Sequence, residues 1–95
     1  MEIVFDTIDK TGRRIRLTKS QWSHIRRDQP DVQEEDVEKT VINPIKIVQT
    51  RKPNKFFYYY YYKDRKGKSK YLRVIARYLN GDGFVVTAYF VQDVT

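Results

Sequence analysis

The chain has no cysteine, one histidine, one tryptophan and one methionine, and only three prolines and four glycines among 95 residues. Without thiols there is neither a disulfide framework nor a thiolate metal site. A single histidine excludes any mechanism that needs two imidazoles. No apolar run approaches the roughly 18 residues of a membrane span, so no membrane partner is expected. The first ten residues, MEIVFDTIDK, are acidic and alternating rather than basic and then apolar, so they do not read as a secretory signal. The expected compartment is therefore the cytoplasm.

Aromatic residues and basic charge are plentiful. Aromatics make up 15% of the chain, with eight tyrosines and five phenylalanines, which is too many for a disordered segment. The length fits one domain over residues 1–95 with a modest core. The net charge is +7, and it is unevenly placed. Residues 1–43 carry 8 basic against 9 acidic side chains, whereas residues 44–95 carry 11 against 3. Residues 51–70 alone hold 8 basic residues and one acid. A one-sided basic half suits a polyanionic partner. A soluble basic surface that binds nothing specific is the alternative.

Period-two alternation dominates the pattern. Residues 83–92, GFVVTAYFVQ, read as a long strand with Phe84, Val86, Ala88 and Phe90 on a core face and Val85, Thr87, Tyr89 and Val91 opposite. Asn80-Gly81 and Asp82-Gly83 are strong hairpin signals, joining that strand to 70–79. There Leu72, Val74, Ala76 and Tyr78 alternate with Tyr71, Arg73, Ile75 and Arg77. Two guanidiniums and two hydroxyls thus share one face. Residues 55–63, KFFYYYYYK, form another strand, with Phe56, Tyr58, Tyr60 and Tyr62 facing one way and Phe57, Tyr59, Tyr61 and Lys63 the other. Residues 45–50 make a further strand, and 2–8 with 13–17 make an N-terminal hairpin around Asp9-Lys10-Thr11-Gly12.

Two helices lie between. Thr18 is placed to cap a helix over 19–28 that carries Trp22 and Ile25, with His24 at the edge of their stripe. Pro30 ends it. Asp31 is placed to cap a second helix over 32–42, with Glu34 and Glu35 in its first turn. The expected architecture is α+β: an N-terminal β-hairpin and two helices, then a four-stranded antiparallel sheet covered by helices on one face.

Exposed aromatics among lysines and arginines are what single-stranded nucleic acid requires, since bases stack and phosphates pair with cations. A half-exposed strand could use tyrosine for area alone. His24 is the one side chain suited to proton transfer near neutral pH, although a lone helical histidine is also a common boundary residue. Arg73 and Arg77, about 13 Å apart along a strand, suit neighbouring phosphates better than a single clamp.

The succession 15-IRLTKSQWSHI-25, 40-TVINPIKI-47, the tyrosine strand, 72-LRVIAR-77 and 84-FVVTAYFV-91 resembles small nucleases of the BECR group. That group comprises the barnase-like, EndoU-like, colicin-type and RelE-like RNases, and the likeness is to its phage-type and toxin-type members. It extends over about residues 12–92. The resemblance implies metal-independent endoribonuclease activity, with RNA as partner, no cofactor, and an acidic antitoxin holding some members. Carried onto this chain, it implies catalytic roles for His24, Arg73, Thr87 and Tyr89. Arg77, Lys63, Arg51, Lys55, Tyr59 and Tyr61 are the expected nucleic-acid contacts. Relatives often show Arg-His-Pro after the first helix, but here the chain reads Arg27-Asp28-Gln29-Pro30. The general acid is then Tyr89, a lysine such as Lys63, or water. The alternatives on the same fold are a non-catalytic single-stranded nucleic-acid-binding module and a protein-interaction domain.

Overall fold

The computed structural model describes residues 2–94. Its elements run β1 (Ile3–Ile8), β2 (Arg14–Thr18), α1 (Lys19–Asp28), α2 (Glu34–Ile42), β3 (Lys46–Gln49), β4 (Lys55–Tyr61), β5 (Tyr71–Leu79) and β6 (Asp82–Val91). The broad α+β class agrees with the sequence reading, but the sheet does not. It is six-stranded and mixed, in the order β1-β2-β6-β5-β4-β3. The expected four antiparallel strands are β3 to β6. The hairpin β1-β2 joins them because β2 pairs in parallel with the start of β6, Ile15 beside Gly83 and Arg16 beside Phe84. That pairing places Ile15, Leu17 and Phe5 over the same core as Val85 and Ala88.

Both helices contribute to that core, through Ile25 of α1 and Val37 and Val41 of α2. Thr18 caps α1 as its position suggests, its hydroxyl accepting from the Gln21 backbone N–H at 3.1 Å. α2 starts two residues later than expected. Its N-cap is Gln33, which makes no side-chain cap bond, and Val32 turns inward as a buried residue. Asp31 pairs with Arg65 instead of capping. Glu34, Glu35 and Asp36 in the first turn suit the positive end of the helix dipole. Among the described residues no helix is long and apolar enough to cross a membrane.

One register shift decides which side chains share a face. Ile75 pairs with Thr87 but Ala76 pairs with Val85, which leaves Val86 as a β-bulge. The expected core row of Phe84, Val86, Ala88 and Phe90 is therefore broken. Val85 and Ala88 are buried, Val86 is exposed, and Phe84 lies opposite Arg77. The bulge also leaves the Val86 carbonyl to accept a hydrogen bond from the Gln21 side chain of α1.

The sheet's helix-covered face ends in a buried polar knot. Oδ2 of Asp9 accepts from Tyr58 Oη at 2.5 Å and from Tyr78 Oη at 3.1 Å. Its Oδ1 accepts from the Thr11 hydroxyl at 2.7 Å and from the Thr11 and Arg13 backbone N–H groups, each at 2.9 Å. The Arg13 guanidinium lies 3.9 Å from the Tyr78 ring centroid. Gly83 is required beside this knot, because a Cβ there would meet Tyr78 Cε1 at 2.4 Å. Gly83→Ala should lower stability by about 2 kcal/mol, the usual cost of an extra methyl in a packed site. The urea midpoint measures it, and adding Tyr78→Leu should cost less than the two single changes together.

Candidate nucleic-acid interface

Strand parity and register lay out the face that the helices leave uncovered as rows running across the strands. One row reads Arg16, Phe84, Arg77, Lys55 across β2, β6, β5 and β4. The next reads Thr87, Ile75, Phe57, Val48. Then come Tyr89, Arg73, Tyr59, Lys46, and finally Val91, Tyr71, Tyr61. Successive rows lie about 7 Å apart along the strands. The acids on this face, Asp6 and Asp82, lie toward the hairpin. Asp6 takes a two-pronged bond from Arg14, at 2.9 and 2.6 Å, and lies 3.4 Å from Arg16. The Arg14 bonds hold the Asp6 carboxyl below its ordinary value. Among the described residues Arg77, Lys55 and Lys46 have no carboxylate partner, so their charges over β3 to β5 are not offset by an ion pair.

Arg73 is the fixed point of the face. Its Nε donates to Tyr59 Oη at 3.0 Å and its Nη1 to Tyr89 Oη at 3.1 Å. Its Cζ lies 4.8 Å from the Phe57 ring centroid, 5.4 Å from Tyr59 and 5.5 Å from Tyr89. Among the described residues three rings and two hydroxyls hold the guanidinium, so its fork is oriented in advance. Burial opposes its charge, but the bonds to Tyr89 and Tyr59 outweigh that and raise its pKa further. Tyr89 accepts from Arg73 and so keeps its own hydroxyl proton to donate. Thr87 stands one row away on the same strand.

The residues singled out from sequence fall into three groups. Arg73, Tyr59 and Tyr89 meet directly, with Thr87 adjacent. Arg77 and Lys55 are paired neighbours at one end of the face, near Arg51 in the β3–β4 turn, while Tyr61 and Lys63 mark the other end. Tyr59 is fully buried, so its part is to position Arg73 and not to stack a base. His24 stands apart on α1. The helix touches the β6 edge that β2 leaves uncovered, through Gln21 and the Val86 carbonyl. His24, one turn beyond Gln21, is on the same flank of α1. It is exposed, and its hydrogen-bond partner is Arg27, whose Nη2 lies 2.8 Å from Nδ1. Arginine only donates, so Nδ1 accepts and the ring proton is on Nε2.

Phe57, Tyr71, Lys46 and Arg16 carry no functional expectation from sequence, and Phe84, expected in the core, lies opposite Arg77. Phe57 and Tyr71 were legible, because they share parity with Tyr59 and Arg73. Lys46, Arg16 and Phe84 depend on strand pairing and on the bulge. Among the described residues no three histidine or carboxylate side chains converge as a metal site would need. A cleft of about 410 Å³ opens between α2 and the end of β4. Three of its four rings are taken by the protein's own cations: Lys39 lies 4.8 Å from the Tyr60 centroid and 5.8 Å from that of Tyr62, and Arg65 lies 3.5 Å from that of Phe90. Comparison of the chain with family models, with curated proteins and with solved structures finds no match.

Proposed function

We propose that this chain is a metal-independent endoribonuclease of the toxin type, acting on RNA laid across the uncovered sheet face. The observation that carries the reading is Arg73, oriented by the hydroxyls of Tyr59 and Tyr89 on a face whose paired strands, among the described residues, present more cations than acids. A fixed guanidinium can offset the charge that develops on a phosphate oxygen as the 2′-hydroxyl attacks phosphorus. The O2′–P bond forms and the P–O5′ bond breaks, giving a 2′,3′-cyclic phosphate and a 5′-hydroxyl. His24 is assigned the 2′-hydroxyl proton on the resemblance, which requires Arg27 to release Nδ1 and the RNA to reach from Arg73 across the β6 edge to α1. Tyr89 donates its proton to the leaving O5′, and solvent restores both groups. Arg77, Lys55 and Lys46 hold the backbone, and an acidic antitoxin would cover the same cations.

The deciding experiment is incubation of the purified chain with mixed-sequence RNA in EDTA, beside His24→Ala. The expected result is fragments ending in 2′,3′-cyclic phosphate, with a rate about 10²–10⁴ lower in the variant, the usual contribution of one positioned proton-transfer group. Full activity in His24→Ala removes that residue from the mechanism. A second reading rests on the bond that occupies His24 Nδ1: a binding module that does not cut. Intact RNA with salt-sensitive binding, indifferent to His24→Ala, would establish that instead.

A further inference from the structure

We propose that the uncovered face carries a base-stacking subsite, formed by Tyr61 and Tyr71, so that a single strand runs along β5 from Arg77 past Arg73 to this shelf. The inference rests on reading the face as a nucleic-acid surface and adds the strand's path and the place of one base. Tyr61 pairs with Tyr71 across β4 and β5, and their ring centroids are 5.0 Å apart at 42°. The pair is tilted rather than stacked face to face; Tyr61 is its exposed member and Tyr71 is half-buried. Tyr61 is 43% exposed, whereas Tyr59, one row inward, is fully buried against Arg73. Among the described residues neither the Tyr61 nor the Tyr71 hydroxyl has a hydrogen-bond partner, so neither ring is fixed to a structural task.

Position supports the same use. The shelf is one row, about 7 Å, beyond Arg73, and the Arg77 row is about 13 Å on the other side. Cations and rings then follow one another along β5 as phosphates and bases do along an extended strand. Past the shelf, the β4–β5 turn offers exposed Lys63, Lys66 and Lys68 to the next phosphates. The whole track is about 20 Å. That matches about four nucleotides, the short end of the single-strand sites that comparable sheet surfaces cover. Stacking on tyrosine tolerates any base but requires it to be unpaired, so duplex is excluded from the shelf.

The test uses a hexanucleotide of 2′-O-methyl RNA, which lacks the attacking hydroxyl, with 2-aminopurine placed at each position in turn. The wild-type chain should quench the fluorescence at one or two positions. Tyr61→Leu and Tyr71→Leu should each weaken binding about tenfold, remove that quench and leave the salt slope unchanged. Arg77→Ala should keep the quench and reduce the salt slope by about one. The same sequence as DNA should show the same quench, since stacking ignores the 2′ position, and the annealed duplex should show none. Unchanged affinity and quench in both leucine variants, with wild-type urea midpoints, would overturn the shelf while leaving the RNA reading intact. Failure of the wild-type chain to bind the oligonucleotide would overturn both.

Discussion

Replacing Arg73 with lysine is expected to slow RNA cleavage by two to three orders of magnitude, with little change in stability. The charge survives the substitution, but the fork does not. Arg73 reaches Tyr59 from Nε and Tyr89 from Nη1 at the same time, while its plane lies among the Phe57, Tyr59 and Tyr89 rings. A lysine ammonium is a compact, strongly hydrated point charge and cannot reproduce that planar, two-pronged hold. Loss of one preorganised donor to a developing oxyanion costs about 10²–10³ in rate. Arg73→Ala is a less informative variant, because it also removes packing from three rings. Single-turnover cleavage of a defined RNA, with far-UV circular dichroism as the fold control, measures the effect. A rate within threefold of wild type would show that only the charge of Arg73 matters, and its catalytic role would fall.

The content of this face was legible in the sequence to the extent that parity governs it. Alternation puts Tyr59 with Tyr61 along 55–62 and Arg73 with Arg77 along 70–79, and the pairing of β4 with β5, Tyr59 beside Arg73, brings the two sets onto one side. Parity failed at Val86, because a bulge inserts one residue and leaves no mark in an unbroken apolar run. Phe84 and Val86 consequently lie off the core face that alternation assigns them, and Val85 lies on it. The parallel pairing of β2 with β6 was out of reach for a different reason. It joins residues more than 60 positions apart, and nothing local distinguishes a hairpin that stands alone from one that extends a sheet. Parity does not show that Tyr59 is fully buried, because side-chain burial depends on what lies over a strand. Asp31 had the right residue type for a cap, but pairing with Arg65 competes with that use.

Asp9→Ala is expected to destabilise the fold by about 3 kcal/mol at pH 7, a large share of the 5–15 kcal/mol that holds a domain together. The carboxylate binds elements from opposite ends of the chain. Thr11 and Arg13 belong to the β1–β2 turn, Tyr58 to β4 and Tyr78 to β5. Without it two buried phenols keep only each other. Asp9→Asn should cost less, because the amide oxygen can still serve the turn while the two hydroxyls reorient toward its NH₂ group. The pH dependence tests the charge itself. Burial alone would raise the Asp9 carboxyl, but the bonds from Tyr58, Thr11, the Arg13 backbone and Tyr78 outweigh burial and hold it below its ordinary value. Burial likewise pushes the Tyr78 phenol up to about 12, so the phenols stay donors across the working range. A carboxyl with a lowered folded-state pKa contributes stability that is complete above its unfolded value, near 4, and is lost as the pH falls toward the folded one. The wild type should therefore lead Asp9→Asn by a constant margin from pH 7 to 5, and the margin should shrink between pH 4 and 2. Asp6, whose carboxyl is also lowered, is present in both proteins and cancels from the difference. Urea unfolding at each pH gives the margin. A gap that does not change with pH would mean that Asp9 acts by shape and hydrogen bonding alone, and that its charge contributes nothing to the fold.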